Sequence, residues 1–158
     1  MTMTGNDNYM NGRIGIVDAN PEPMFVMYHV SLMENERLTQ TEKNVYLALK
    51  SFAINCNSCY PTHARAMKRA GIKSTSTFSL TLKKLEEKGV LLIIPEFDEN
   101  NKRTSNSYIL AQFDAHAGDF DIGSLVPYME KKKRADLIAL GRGQNRSKGR
   151  ASNKEEAV

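Results

Sequence analysis

Apolar residues recur along the middle of the chain with two different periods. Val45, Leu49 and Phe52 follow one another at i, i+4 and i+7 with Ala48 beside them, the stripe of a helix that buries one face. Thr39-Gln40-Thr41-Glu42 precedes the stripe with the spacing of a capping box, whose hydroxyl and carboxylate each satisfy an orphan amide, so this helix is expected from there to about Ala53. Asn55 to Ser58 reads as a loop. Pro61 cannot continue a helix and Thr62 can cap one, which predicts a short helix from about His63 to Ala70, ended by Gly71. Ser74 caps a third helix that runs to Lys88, with Gly89 as its stop. At about 100° per residue, Phe78, Leu82 and Leu85 share its inner face, while Ser76, Ser79, Leu80, Lys83 and Glu87 point outward. Beyond Gly89 the period changes: Val90 to Ile94 is an apolar strand, Glu96 to Ser105 a polar hairpin tip and Asn106 to Leu110 a returning strand.

The flanks are less regular. Asn20-Pro21-Glu22-Pro23 is a rigid link into the β-capable run Met24 to Val30. Val126-Pro127-Tyr128 opens a C-terminal helix, with Pro127 in an acceptable first-turn position and Gly141 as its stop. Met1 to Gly15 and Gly141 to Val158 hold almost nothing to bury and cannot offset the entropy of ordering. The order helix, helix, turn, helix, strand, wing, strand is that of a winged helix-turn-helix. The expected fold class is therefore α+β, mainly α, with three helices, a two- to three-stranded β-wing and an additional C-terminal helix. The expected division is a flexible N-terminal extension over 1–23, a winged-helix domain over 24–112, an acidic loop and C-terminal helix over 113–140, and a disordered basic tail over 141–158.

Composition narrows the function. A chain of 158 residues with 41% apolar content holds one domain of ordinary size plus tails. The net charge of +4 leans toward an anionic partner, and the lean has a location. Residues 1–37 are net negative, 38–110 carry 11 Lys and Arg against 6 Asp and Glu, and 131–150 carry 8 basic residues against Asp136 alone. No apolar run approaches the ~18 residues of a membrane span, and the polar start lacks the pattern of a secretory signal, so no membrane partner and a cytoplasmic location are expected. Two cysteines cannot form a disulfide scaffold and are expected as thiols.

From Leu38 to Leu110 the chain resembles the winged-helix domain of plasmid and phage replication initiators and related regulators of mobile elements. The residues that carry the likeness are Leu38-Thr39 with Glu42, Tyr46 and Leu49, then Cys59-Tyr60-Pro61-Thr62, then Leu82 to Val90, and Asn106-Ser107-Tyr108-Ile109-Leu110. The resemblance implies a double-stranded DNA partner and a role in replication initiation or its control, or in transcription, with contacts to the replication or transcription machinery. The family's recognition helix is often arginine-rich near its start, where this chain has Thr75, Ser76, Thr77 and Leu80.

A helix in the major groove reads bases from its first turns. Ser74, Thr75, Ser76, Thr77 and Ser79 are short hydroxyl residues suited to phosphates or to base edges at close approach. Arg65, Lys68 and Arg69 on the preceding helix, Lys73 in the turn, and Lys83 and Lys84 further along are placed for phosphates. Lys102 and Arg103 at the wing tip suit a backbone or a narrow minor groove. Without an Arg on the recognition helix there is no bidentate fork for guanine, so discrimination is expected to be modest or shape-based. Leu80 fits a thymine methyl or a partner helix equally well, which keeps a protein-binding module as the competing reading.

Other constellations are weaker. Cys56-Asn57-Ser58-Cys59 has the spacing of a zinc or redox pair, but no second Cys pair completes four ligands, and a buried Cys59 is the simpler reading. Asp114-Ala115-His116 with Asp119 and Asp121 gathers possible metal ligands, but reads better as a solvated acidic loop. There is no phosphate-binding Gly-rich loop and no His-x-His pair beside a tyrosine, so Tyr108 and Tyr128 are read as structural, with no catalytic residue, metal or cofactor expected. The Lys131-Lys132-Lys133-Arg134 run belongs either to a solvated helix docked by its last turns or to a phosphate-binding arm that also serves dimer formation.

Overall fold

The computed structural model describes residues 26–53 and 56–155, so the expected N-terminal extension and the start of the Met24 run lie outside the described residues. Helix α1 (Val30–Glu34) is followed by α2 (Gln40–Phe52), strand β1 (Ser58–Cys59), α3 (His63–Ala70) and α4 (Thr75–Glu87). Strands β2 (Leu91–Phe97), β3 (Arg103–Leu110), β4 (Gln112–Asp114) and β5 (Asp119–Asp121) come next, then a 3-10 segment (Ile122–Tyr128) and α5 (Met129–Glu155). The three central helices start where their caps predict. Thr39 and Glu42 form the reciprocal capping box, Thr62 Oγ1 accepts from Arg65 N, and Ser74 Oγ accepts from Thr77 N. Gly71 and Gly89 close α3 and α4 at φ of 70° and 73°, the left-handed region a Cβ disfavours.

The core sits between these helices and an antiparallel sheet of order β1-β3-β2. Val45 and Leu49 of α2, Phe78, Leu82 and Leu85 of α4, and Val90, Leu91, Ile94 and Tyr108 of the sheet region are all buried in it. Cys59 and Ile93 face Tyr108 from either side, which makes β1 the third strand of the wing sheet. The molecule is a winged helix-turn-helix of the α+β class.

Four expectations change. The run ending at Val30 forms no strand among the described residues; Val30–Glu34 is helical, with Leu32 buried and Lys43 Nζ donating to the Met33 carbonyl. Its β-capable side chains find no neighbouring strand, and strand propensity expresses itself only with one. The wing strands reach further than Ile94 and start before Asn106, because β2 is an edge strand where Pro95 can sit without breaking a ladder, opposite Asn106.

The acidic loop is instead the β4–β5 hairpin. Phe113 and Phe120 meet edge to face at 5.1 Å, and Phe120 meets Tyr46 of α2 at 5.0 Å, so two aromatics anchor the segment onto the core. Finally, α5 begins at Met129 and continues through Gly141 to Glu155, where the sequence predicts a stop and a disordered tail. Gly141 is not among the positive-φ glycines of the described residues, and a right-handed glycine inside a helix weakens it without ending it. No helix of the described residues is long and apolar enough to cross a membrane.

Candidate nucleic-acid interface

The turn between α3 and α4 fixes the geometry. Gly71 N donates to Lys68 O and Ile72 N to Met67 O, closing α3 tightly, and Ser74 restarts the chain as α4. His63 of α3 lies edge to face on Phe78 of α4 at 5.3 Å, so the two helices are locked through aromatic faces. Phe78, Thr81, Leu82 and Leu85 turn the inner face of α4 to the core. The opposite face presents Ser76, Leu80 and Lys83, with Thr75, Thr77 and Lys84 on its flanks, all exposed; Ser79 is half-buried at the edge. Leu80 is 55% exposed, an apolar spot between hydroxyl and ammonium groups. Glu87 shares this stripe, but it lies eleven residues past Ser76, about 16 Å along the axis, away from the end that would enter a groove.

The hydroxyls at the start of α4 are partly engaged with one another. Ser74 Oγ caps Thr77 N at 3.3 Å and lies 2.9 Å from Ser76 Oγ. A hydroxyl keeps a further lone pair, so both can accept or donate again. Thr81 Oγ1 donates to Thr77 O inside the helix, which accounts for a polar residue on the buried face.

The cations fall into separate groups. Lys68, Lys73, Lys83 and Lys84 are exposed, and none of the ion pairs among the described residues includes them. Arg65 and Arg69 both lie over the ring of Phe52, at 5.2 and 3.8 Å, and Arg69 Nη1 donates to Ser51 Oγ at 2.7 Å. The structure thus brings these two guanidinium groups to the end of α2 and holds them there by stacking. Sequence periodicity marks Phe52 as a core residue; its second role as their platform needs the packing of α3 on α2. Lys102 and Arg103 sit at the far end of the wing, where Arg103 Nη2 donates to Asn106 Oδ1 at 3.2 Å. Asp98 shares that tip, but its carboxylate accepts from Lys102 N at 2.6 Å and closes the turn.

The remaining motifs have structural partners. Asp114 Oδ1 accepts from His116 N and Ala117 N, Asp119 pairs with Arg37 at 2.5 Å, and Asp121 caps the 3-10 segment through Gly123 N. Cys59 is buried in β1, and burial pushes its thiol up to about 12. Tyr108 is fully buried, with its hydroxyl also raised by desolvation, so it is closed to a phosphodiester; Tyr128 is half-buried against the core.

Most of the lysine run of α5 is occupied within the chain. Lys131 pairs with Glu96 at 2.7 Å, Lys132 with Glu86 at 3.0 Å and Lys133 with Glu130 at 3.3 Å, and Lys132 also donates to Ile93 O. The helix is therefore docked by its first turns rather than its last, with Ala135 buried against the body. A network that sequence reading misses joins the ends of the motif: Lys88 Nζ reaches Glu42 Oε2 and the Arg37 carbonyl, and Arg37 Nη2 returns to the Lys88 carbonyl, each at 2.7 Å. Only the Glu42 end of it is signalled, through the capping box.

Comparison with curated proteins and with solved structures gives no significant match. A family model described as a helix-turn-helix domain matches residues 36–93, just over a third of the chain, so the segment from the start of α2 into β2 is a helix-turn-helix domain, a fold that suggests binding to double-stranded DNA.

Proposed function

We propose that the protein binds duplex DNA with α4 in the major groove and the β2–β3 wing against the flanking backbone or minor groove. The observation that supports it best is the outer face of α4: exposed hydroxyl side chains bordered by Lys73, Lys83 and Lys84, which have no carboxylate partner among the described ion pairs. Lys68 on α3 and Lys102 and Arg103 on the wing supply further phosphate contacts, Ser74 to Ser79 the close approach to the groove, and Arg65 and Arg69 a stacked pair at its border. The resemblance over Leu38 to Leu110 supports action in replication initiation or its control on a plasmid or phage; a compact transcriptional regulator is the alternative.

If six cations neutralise phosphates, the logarithm of the binding constant falls with log salt at a slope of about −5. Anisotropy titrations of labelled duplex between about 50 and 200 mM salt measure it, and a flat response would sink the reading. Without an arginine fork on α4, the ratio of specific to scrambled DNA should stay below about 10⁵. Exposed Leu80 favours one second reading, a protein-binding module, in which Leu80→Asp abolishes partner capture and salt-sensitive retention on DNA is absent.

A further inference from the structure

A cleft of about 390 Å³ opens between the segment before α1, α2 and the β4–β5 hairpin, a size within the range of small-molecule sites. None of the residues that line it belongs to α3, α4, β2 or β3, so it stands apart from the face proposed to hold DNA. Its apolar lining is mostly aromatic: Tyr28 and His29 before α1, Tyr46 on α2 and Phe113 on β4, with buried Leu32 from α1. The His29 and Phe113 rings stack at 6.1 Å and 27°, Phe113 meets Phe120 edge to face at 5.1 Å, and Phe120 meets Tyr46 in the same way at 5.0 Å. A continuous chain of ring contacts therefore joins the walls and holds the cleft in shape.

The polar side chains of the cleft are not engaged within the described residues. Gln112 and Asn57 take part through their backbones, Gln112 N donating to Ser124 Oγ and Asn57 O accepting from Leu110 N. None of the described hydrogen bonds or ion pairs uses their side-chain amides, the Lys50 ammonium or the Tyr46 hydroxyl. Lys50 is half-buried, and no Asp or Glu lines the cleft with it. Tyr46 is 4% exposed, and burial pushes its hydroxyl up to about 12, so it keeps a proton to donate. An ammonium, two primary amides and a phenol form a set rich in donors, with positive charge and no negative charge to match it. Groups withdrawn from water in this way gain most from a ligand that brings acceptor oxygens and a negative charge. The rings around them favour a flat apolar body, which they meet by face or edge.

We propose that this cleft binds a small planar aromatic carboxylate, with the carboxylate held by Lys50 and the side-chain amides of Asn57 and Gln112 and the ring lodged among Tyr28, Tyr46 and Phe113. The site is independent of the DNA-binding reading of α4 and goes beyond it.

The test uses the isotope-labelled full chain, with 2-naphthoate as probe and 2-naphthamide as its neutral counterpart, and follows amide chemical shifts. The acid should bind saturably with a Kd of about 1 mM or tighter. Its shifts should centre on Tyr46, Lys50 and Phe113 and include the side-chain amides of Asn57 and Gln112. The neutral amide should bind about tenfold more weakly, and Lys50→Met should remove that preference by weakening the acid alone. Lys133→Met, at an exposed position of α5, should leave both affinities at the parent values. Spectra away from the cleft must match the parent for each variant to count as folded. No saturation up to about 10 mM, or shifts centred on the exposed Leu137 and Leu140 of α5, would overturn the proposal. Equal binding of acid and amide by the parent chain, or a preference that survives Lys50→Met, overturns it too. So does equal weakening in the two lysine variants, because net charge then explains the effect. Duplex titrations read the α4 interface separately, so failure here leaves that reading intact.

Discussion

Glu42 joins three segments through one oxygen. Its Oε2 accepts from Thr39 N at 3.1 Å and from Lys88 Nζ at 2.7 Å, so a single carboxylate caps α2 and ties it to the end of α4. The Glu42 side chain is 3% exposed and that of Lys88 33%, which means that removing the acid leaves a cation able to return to water. The loss is then the cap and the charged hydrogen bonds, not a stranded buried charge, and Glu42→Ala should lower the free energy of urea unfolding by about 2 kcal/mol. A loss below about 0.5 kcal/mol would show that the two helices are not coupled here. Burial acts differently on two other side chains: it pushes the Cys59 thiol from 9.0, and the Tyr46 hydroxyl from 10.0, up to about 12. In the unfolded chain both ionise near their ordinary values, so above about pH 9 the unfolded state sheds protons that the folded state keeps. Stability from these groups is whole below that pH and falls as pH rises toward 12. Urea midpoints taken at pH 8 and about pH 10.5 should therefore drop at the higher value, and a thiol reagent at pH 8 should label exposed Cys56 at once and Cys59 only as the fold opens.

At the scale of elements, the two helix-ending glycines offer a controlled comparison. Gly71 and Gly89 have nearly the same positive φ, but a Cβ at Gly71 meets nothing within 4 Å, whereas one at Gly89 would lie 2.8 Å from Ile122 Cγ1. Gly71→Ala should cost about 1 kcal/mol from backbone strain alone, and Gly89→Ala about 2 kcal/mol, because the Ile122 side chain must also give way; thermal or urea unfolding compares them. The same pair shows what the sequence makes legible. Both glycines, both hydroxyl caps and the capping box signal helix ends locally, so the three central helices can be placed almost to the residue. The hairpin anchored by Phe113 and Phe120 was hidden because Phe120 packs on Tyr46, more than seventy residues away, while the intervening Asp and Gly residues resemble solvent-facing loop. The extension of β2 through Pro95 was hidden for a related reason, since whether a proline is tolerated depends on the strand being at an edge. For the candidate site, the exposed face of α4 follows from periodicity. The stacking of Arg65 and Arg69 on Phe52, and the pairing of Lys131 with Glu96 and of Lys132 with Glu86, depend on tertiary neighbours that no local pattern names.

On the scale of the whole molecule, Lys132 is the point where α5, α4 and the wing meet. Its ammonium pairs with Glu86 at 3.0 Å and Asp136 at 3.2 Å and donates to the Ile93 carbonyl at 2.8 Å, so one side chain straps the C-terminal helix to the last turn of α4 and to the edge strand. With the side chain 21% exposed, Lys132→Met keeps the buried methylene stem and deletes the charge that makes all three contacts. Amide exchange should then quicken across 129–142 and β2, while protection in α2 persists because its core contacts are untouched. The consequence for DNA follows from geometry. A wing that is less firmly held spends part of its time away from the orientation set by α4, so affinity should fall about threefold. Since Lys132 is committed within the chain, no phosphate contact is lost, and the salt slope of binding should stay at the parent value. A shallower slope would mean that Lys132 leaves its carboxylates to touch DNA directly. An unchanged affinity with quickened exchange would mean that the wing does not need the strap to dock.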